Sequence, residues 1–188
     1  MSKTHETLDE AENERQAAYT LVGEALSLWN QIEGSLAFLF ASYLKTDASI
    51  AMASYHAVIS FEARLAMVNA AAEKKLRLHP ELFDRWKTLS GRISKKAKKR
   101  AEIAHCTIMI MEHNGRYTVE ALPYWHFSKL LAGAKYRGPG LMPVAPNGLS
   151  LSLKQLDDRI ASFKDLNARI IDLNGDVERA SQPPEEAP

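Results

Sequence analysis

The sequence predicts an all-α protein: an antiparallel helical bundle of four to five helices with a small β-hairpin before the last helix. Three observations lead there. Residues 8–45 contain no proline and repeat apolar side chains at helical spacing. Two further long segments, opening near Pro80 and at Ser152, repeat the same pattern. Between them the periodicity changes around Asn114-Gly115, the dipeptide favoured by a tight hairpin turn.

The first helix is drawn by Leu21, Ala25, Leu28, Trp29, Ile32, Leu36, Phe40 and Tyr43, which trace one stripe. Thr46-Asp47 supplies a break and an N-cap. A second helix is then expected to run to about Leu76 through Ile50, Tyr55, Val58, Ile59, Leu65 and Val68. His79-Pro80 closes that segment, because a residue before proline is pushed out of the helical region. Pro80 suits a first helical turn, and the third helix continues through Leu82, Trp86, Leu89 and Ile93 to about Ala104.

Residues 107–111 (Thr-Ile-Met-Ile-Met) are β-prone, and Tyr117-Thr118-Val119 is the returning strand. Residues 133–148, with four glycines and three prolines, form a loop. The last helix opens at Ser152, with Gln155 completing a capping box, and runs through Leu153, Leu156, Ile160, Phe163, Leu166, Ile170 and Leu173. A single domain is expected over residues 1–180, and the proline-rich, acidic residues 181–188 form a disordered tail.

Composition narrows the function classes. The 188 residues suit one domain with a sizeable core, and 46% hydrophobic with 25% charged residues is ordinary for a globular protein. A net charge of +1 argues against a uniformly basic nucleic-acid binder, so any such contact needs a local patch. The single cysteine, Cys106, excludes an internal disulfide and fits a reducing cytoplasm. Residues 1–16 are acidic without an apolar run, so no signal peptide is expected. The most apolar stretch, residues 34–44, is shorter than the ~20 residues a membrane span needs. The expectation is a soluble cytoplasmic protein with no membrane partner.

Two residues late in the third helix carry the chemistry. Arg100 and His105 lie five residues apart, which at ~100° per residue sets them ~140° apart with ~7.5 Å of rise. A long guanidinium can fold back across that gap and share one phosphate with an imidazole, the side chain suited to moving protons near pH 7. Leading to the pair, Arg92, Lys95, Lys96, Lys98, Lys99 and Arg100 put six cations in nine residues. They read either as a solvated helix face or as a landing strip for a phosphate backbone. Glu33 falls in line with Trp29, Leu36 and Phe40 on an apolar stripe. It either takes Arg64 or Arg100 as a partner, or lies at the stripe's edge and reaches water.

Metal chemistry finds little footing. Glu102 and His105 form a Glu-x-x-His, the spacing that di-iron bundles use twice, but no second copy exists. Cys106, His105 and His113 lack the paired spacing of a zinc site, and neither a Gly-rich phosphate loop nor a nucleophile elbow is present. No cofactor is expected.

With these residues in hand the chain resembles the HEPN superfamily of all-α domains, which includes many bacterial and antiviral ribonucleases. Its defining motif is an arginine, four to six residues, and a histidine, commonly with Asn after the arginine and Ala-His-Gly at the end. Arg100 and His105 match the defining positions, and Ile103-Ala104-His105 is similar to the usual lead-in. Trp29-Asn30-Gln31-Ile32-Glu33 and the final-helix opening Leu151-Ser152-Leu153-Lys154-Gln155-Leu156 resemble family patterns too. The likeness spans roughly residues 18–175. It departs at Ala101, where Asn is usual, and at Cys106, where Gly is usual.

The resemblance implies a homodimer that brings two Arg-His sets into one cleft and cleaves RNA without a metal. Arg100 would stabilise the scissile phosphate and His105 would handle the proton. Glu33 would orient one of them, Lys95, Lys96, Lys98 and Lys99 would hold RNA, and Glu102 and Arg64 would support. An antitoxin or nucleotidyltransferase is the partner class that accompanies this reading. The alternatives are a non-catalytic HEPN-like module binding RNA, a nucleotide or a protein, and a structural dimerisation domain.

Overall fold

The computed structural model describes residues 3–126 and 150–181. They form five long helices and a three-stranded antiparallel sheet: β1 (Thr4–His5), α1 (Leu8–Leu44), α2 (Ala48–Ala57), α3 (Phe61–Lys75), α4 (Pro80–Ala104), β2 (Cys106–His113), β3 (Arg116–Pro123), a 3-10 turn at Tyr124–His126, and α5 (Leu153–Arg179). The protein is mostly helical. The loop expected over 133–148 and the tail expected beyond Ser181 lie outside the described residues.

The chain divides into two compact units, Met1–Ser27 with Lys99–Ser162 and Leu28–Lys98 with Phe163–Pro188. The second holds most of the long helices. Trp29, Ile32, Leu36, Tyr55, Val68, Trp86, Ile93, Phe163 and Ile170 are all buried there, as the apolar stripes predict. Trp29 meets Phe61 and Phe163 edge-to-face, at 5.1 and 5.4 Å between centroids.

Helix ends follow local chemistry. α1 stops where Lys45 turns left-handed (φ 52°) and Thr46 N–H reaches back to the Ala41 carbonyl. The Asp47 carboxylate then accepts from the Ser49 and Ile50 amides at 2.8 and 3.4 Å, capping α2. The expected second helix does not run through to Leu76. It breaks at Val58, which is extended (ψ 121°), and restarts where the Ser60 hydroxyl accepts from the Ala63 amide. Ile59 is consequently 96% exposed, and Ile50 too lies outside the core. A serine cap after two β-branched residues outweighs the apolar periodicity there.

The first unit contains the sheet, ordered β1-β3-β2. Asn114 and Gly115 both have positive φ, 52° and 73°, as a two-residue type I′ hairpin turn requires. That turn fixes the register from His113 opposite Arg116 to Cys106 opposite Pro123. Ile108, Met111, Val119 and Leu122 are buried there with Ala11, Ala18 and Ile160. The hairpin begins earlier and ends later than expected, and the short β1 joins it through Thr4–Thr118 and His5–Tyr117. Buried His5 is held by the Glu14 carboxylate, a pairing across nine positions that no local pattern signals. Ser152 and Gln155 form the anticipated capping box at the start of α5.

Candidate functional site

Arg100 and His105 lie at the C-terminal end of α4, in the first unit. Ala104 ends the helix, but the His105 amide still donates to the Ala101 carbonyl at 3.2 Å, so His105 closes the last turn with its side chain exposed. The hairpin then reaches back to it, as the Tyr124 amide donates to the His105 carbonyl at 2.8 Å. This bond continues the register one step beyond Cys106–Pro123. A two-residue turn at 114–115 therefore dictates that Tyr124 faces His105.

The rings follow the backbone. His105 lies edge-to-face with Tyr124 at 5.7 Å and with Trp125 at 6.1 Å, and Tyr124 and Trp125 meet at 5.2 Å. Neither aromatic residue was singled out from the sequence. The signal was available: extending the hairpin pairing outward from Asn114-Gly115 leads directly to Tyr124.

Arg100 is partly buried, and its Nε is shielded from water without a hydrogen-bond partner among the described residues. Its neighbours are engaged. Glu102 accepts from Arg159 at 2.6 Å and from Lys99 at 3.2 Å, while Arg159 also donates to the Lys99 carbonyl at 3.1 Å. Arg159, on α5, thus pins the last turns of α4 by a charge-assisted bond and a carbonyl bond. It is a residue the sequence reading missed, because nothing local links positions 57 apart. Burial pushes the Cys106 thiol up, its backbone bond and Arg159 opposing, so a neutral thiol follows the histidine.

Glu33 and Arg64 belong to the second unit. Of the two arginines weighed for Glu33, the structure pairs it with Arg64. The Trp29 indole donates to the other carboxylate oxygen at 2.7 Å. The Arg64 guanidinium lies 5.4 Å from the centre of the Tyr55 ring. Burial, reinforced by the Glu33 charge, pushes the Tyr55 hydroxyl far above its ordinary range, so it stays protonated. With Glu33 and Arg64 only 12% and 15% exposed, both carboxylate oxygens are engaged, while the Arg64 Nε and the Tyr55 hydroxyl are buried without a hydrogen-bond partner among the described residues.

Of the expected RNA-holding lysines, Lys95 and Lys98 are exposed and Lys96 partly so, all three in the second unit, whereas Lys99 belongs to the first. Among the described residues no group of three His, Cys, Asp or Glu side chains is placed to hold a metal ion, and no helix is long and apolar enough to cross a membrane. Comparisons with protein-family models, with curated proteins and with solved structures each find no match to this chain.

Proposed function

We propose that the chain is a HEPN-like helical bundle acting in the cytoplasm as a homodimeric, metal-independent ribonuclease. Arg100 holds the scissile phosphate and stabilises the charge that grows on it in the transition state. His105 accepts the proton of the attacking 2′-hydroxyl or supplies one to the leaving 5′-oxygen. The products are a 2′,3′-cyclic phosphate and a 5′-hydroxyl. Lys95, Lys96, Lys98 and Lys99 add non-specific attraction for the backbone. Glu33, committed to Trp29 and Arg64, enters this scheme as a packing element.

The observation that carries the reading is the isolation of Arg100. Lys99, Glu102 and Arg159 satisfy one another, while Arg100 forms no ion pair among the described residues. A partly desolvated guanidinium without a carboxylate is complementary to an anion, and an exposed imidazole lies five residues on. The test is cleavage of a mixed RNA pool in excess EDTA by the native chain and by His105→Ala. Cleavage by the native chain alone, leaving cyclic-phosphate ends, supports the reading. No cleavage by either folded protein rejects it.

A second reading, an RNA-binding module without catalysis, is favoured by Ala101 and Cys106. They replace the polar and the small residue usual beside the pair with an apolar side chain and a neutral thiol. Under that reading, reversing the four lysine charges abolishes affinity and His105→Ala matters little.

A further inference from the structure

In the second unit two cations meet with no carboxylate to balance them. Lys87 and Lys99 each reach an acid, Asp84 at 2.6 Å and Glu102 at 3.2 Å. Lys45 and Lys75 instead come within hydrogen-bonding reach of each other, and neither forms an ion pair among the described residues. Ammonium groups are donors without a lone pair, so such a contact is repulsive until an acceptor lies between them. Burial first, and then the Lys45 charge, hold the Lys75 amine below its ordinary value. Lys45 follows α1 and Lys75 ends α3, where a helix C-terminus favours a cation. That accounts for a lysine at either position and not for their convergence.

The backbone adds a second sign. Lys45 is left-handed (φ 52°) just past the end of α1, a position where glycine is usual and a Cβ is strained. A charged side chain is kept there all the same.

Beside it is room for a ligand. A cleft of about 440 Å³ within the second unit is lined by Phe38, Ser42, Lys45, Thr46, Glu178 and Ser181. Its volume falls in the roughly 300–1,000 Å³ range of small-molecule sites. Phe38, 49% exposed, gives it an apolar wall, and Thr46 contributes a hydroxyl. Glu178 is the acid on that lining, and its Oε1 accepts from Ser42 at 3.2 Å and from Asn174 at 2.9 Å. A doubly charged anion satisfies two ammonium groups at once. A phosphoryl group carries nearly two charges above pH ~6, on three acceptor oxygens.

We propose that Lys45 and Lys75 bind the phosphoryl group of a small organic phosphomonoester whose apolar part packs on Phe38. The site belongs to a different unit from Arg100 and His105, and it does not depend on the ribonuclease reading.

Isothermal titration of the full chain with phenyl phosphate, in phosphate-free buffer at neutral pH, tests the site. Inorganic phosphate, sulfate and phenol are the comparisons. The expected result is saturable binding of phenyl phosphate, weaker binding of inorganic phosphate and none of phenol. Lys45→Ala and Lys75→Ala should each weaken it about tenfold, the size of one charge-assisted hydrogen bond. Glu178→Gln should tighten it, because a like charge leaves the cleft. Binding should fade as pH falls through about 6, where the phosphomonoester loses its second charge. Lys45→Gly separates ligand from fold. It should weaken binding as Lys45→Ala does while raising the urea midpoint, since glycine accepts the left-handed backbone.

Absence of binding overturns the proposal, as does binding that both lysine variants leave unchanged or that Arg100→Ala removes. Equal affinity for phenyl phosphate and inorganic phosphate overturns the organic ligand and its Phe38 wall. Matching affinity for sulfate reduces the site to general anion attraction and overturns it too.

Discussion

Arg64 and Arg100 are the same residue in opposite circumstances. Arg64 is pinned to the Glu33 carboxylate, lies over the Tyr55 ring, and belongs to a network that also consumes the Trp29 indole N–H. Arg100 is only partly buried, has no ionic partner among the described residues, and is followed five positions on by an exposed histidine. A guanidinium with a buried carboxylate is unavailable to a ligand, because freeing it would strand the carboxylate in a dry interior. One without such a partner gains from an incoming phosphate. Partner, more than charge, separates an arginine that holds the fold from one that can do work.

The largest effect expected is on the buried network. Arg64→Ala leaves Glu33 buried and unpaired and should destabilise the protein by about 3–5 kcal/mol. Urea unfolding followed by tryptophan fluorescence would show it as a lower midpoint at similar slope. Glu33→Gln should cost less, since the amide oxygen still accepts from Trp29. If Arg64→Ala leaves the midpoint unmoved, the network is not structural and the contrast with Arg100 collapses.

At the open site the same truncation should read out in activity. Under the proposed ribonuclease function, His105→Ala is expected to lower cleavage by about 100-fold or more, the usual size of a general acid–base contribution. Its unfolding free energy should stay within about 0.5 kcal/mol of the native value, as for other exposed positions. Arg100→Ala should behave alike. A large loss of stability from either would make the pair another structural network.

Why the sequence reveals one half of this contrast better than the other is a matter of range. Helix ends at Asp47, Pro80 and Ser152 and the turn at Asn114-Gly115 are set by residues within three or four positions, and they fall where expected. The break at Val58–Ser60 is also local. It escaped because the apolar period runs across it, although a Val-Ile pair before serine is a cap signal in its own right. Arg159 on Glu102, and Glu14 on His5, depend on how distant elements pack, which no periodicity encodes. For Glu33 the sequence posed the right question, a carboxylate on an apolar stripe, and left two arginines as answers. Only packing chooses between them.

The hairpin turn connects the local signals to the site, so it offers a finer test. Gly115 has φ +73°, where a Cβ is strained although no neighbouring atom would obstruct it. Gly115→Ala should therefore cost about 1 kcal/mol, a purely backbone penalty. Inserting one residue at the turn does more. It shifts the register so that Tyr124 no longer faces His105, and under the proposed RNA-directed function affinity for RNA should fall while helix content holds. Unchanged affinity would show that the register does not build the site.

The smallest effect lies with charges that face water on both sides. Asp176, on α5, is held below the usual carboxylate range by hydrogen bonds from Arg85 first and Arg179 second. Its folded value lies below its unfolded one. Its contribution is therefore complete above the ordinary value of 3.8 and is lost as pH falls through the lowered folded value. Arg85→Ala should lower the melting temperature only slightly at pH 6, and the gap to the native chain should shrink in strong acid and in high salt. A gap as large as that of Arg64→Ala, or one that persists in acid, would mean that exposure does not discount an arginine–carboxylate pair here. The distinction drawn between Arg64 and its exposed counterparts would then have to rest on Tyr55 and Trp29, the two groups that only the buried pair possesses.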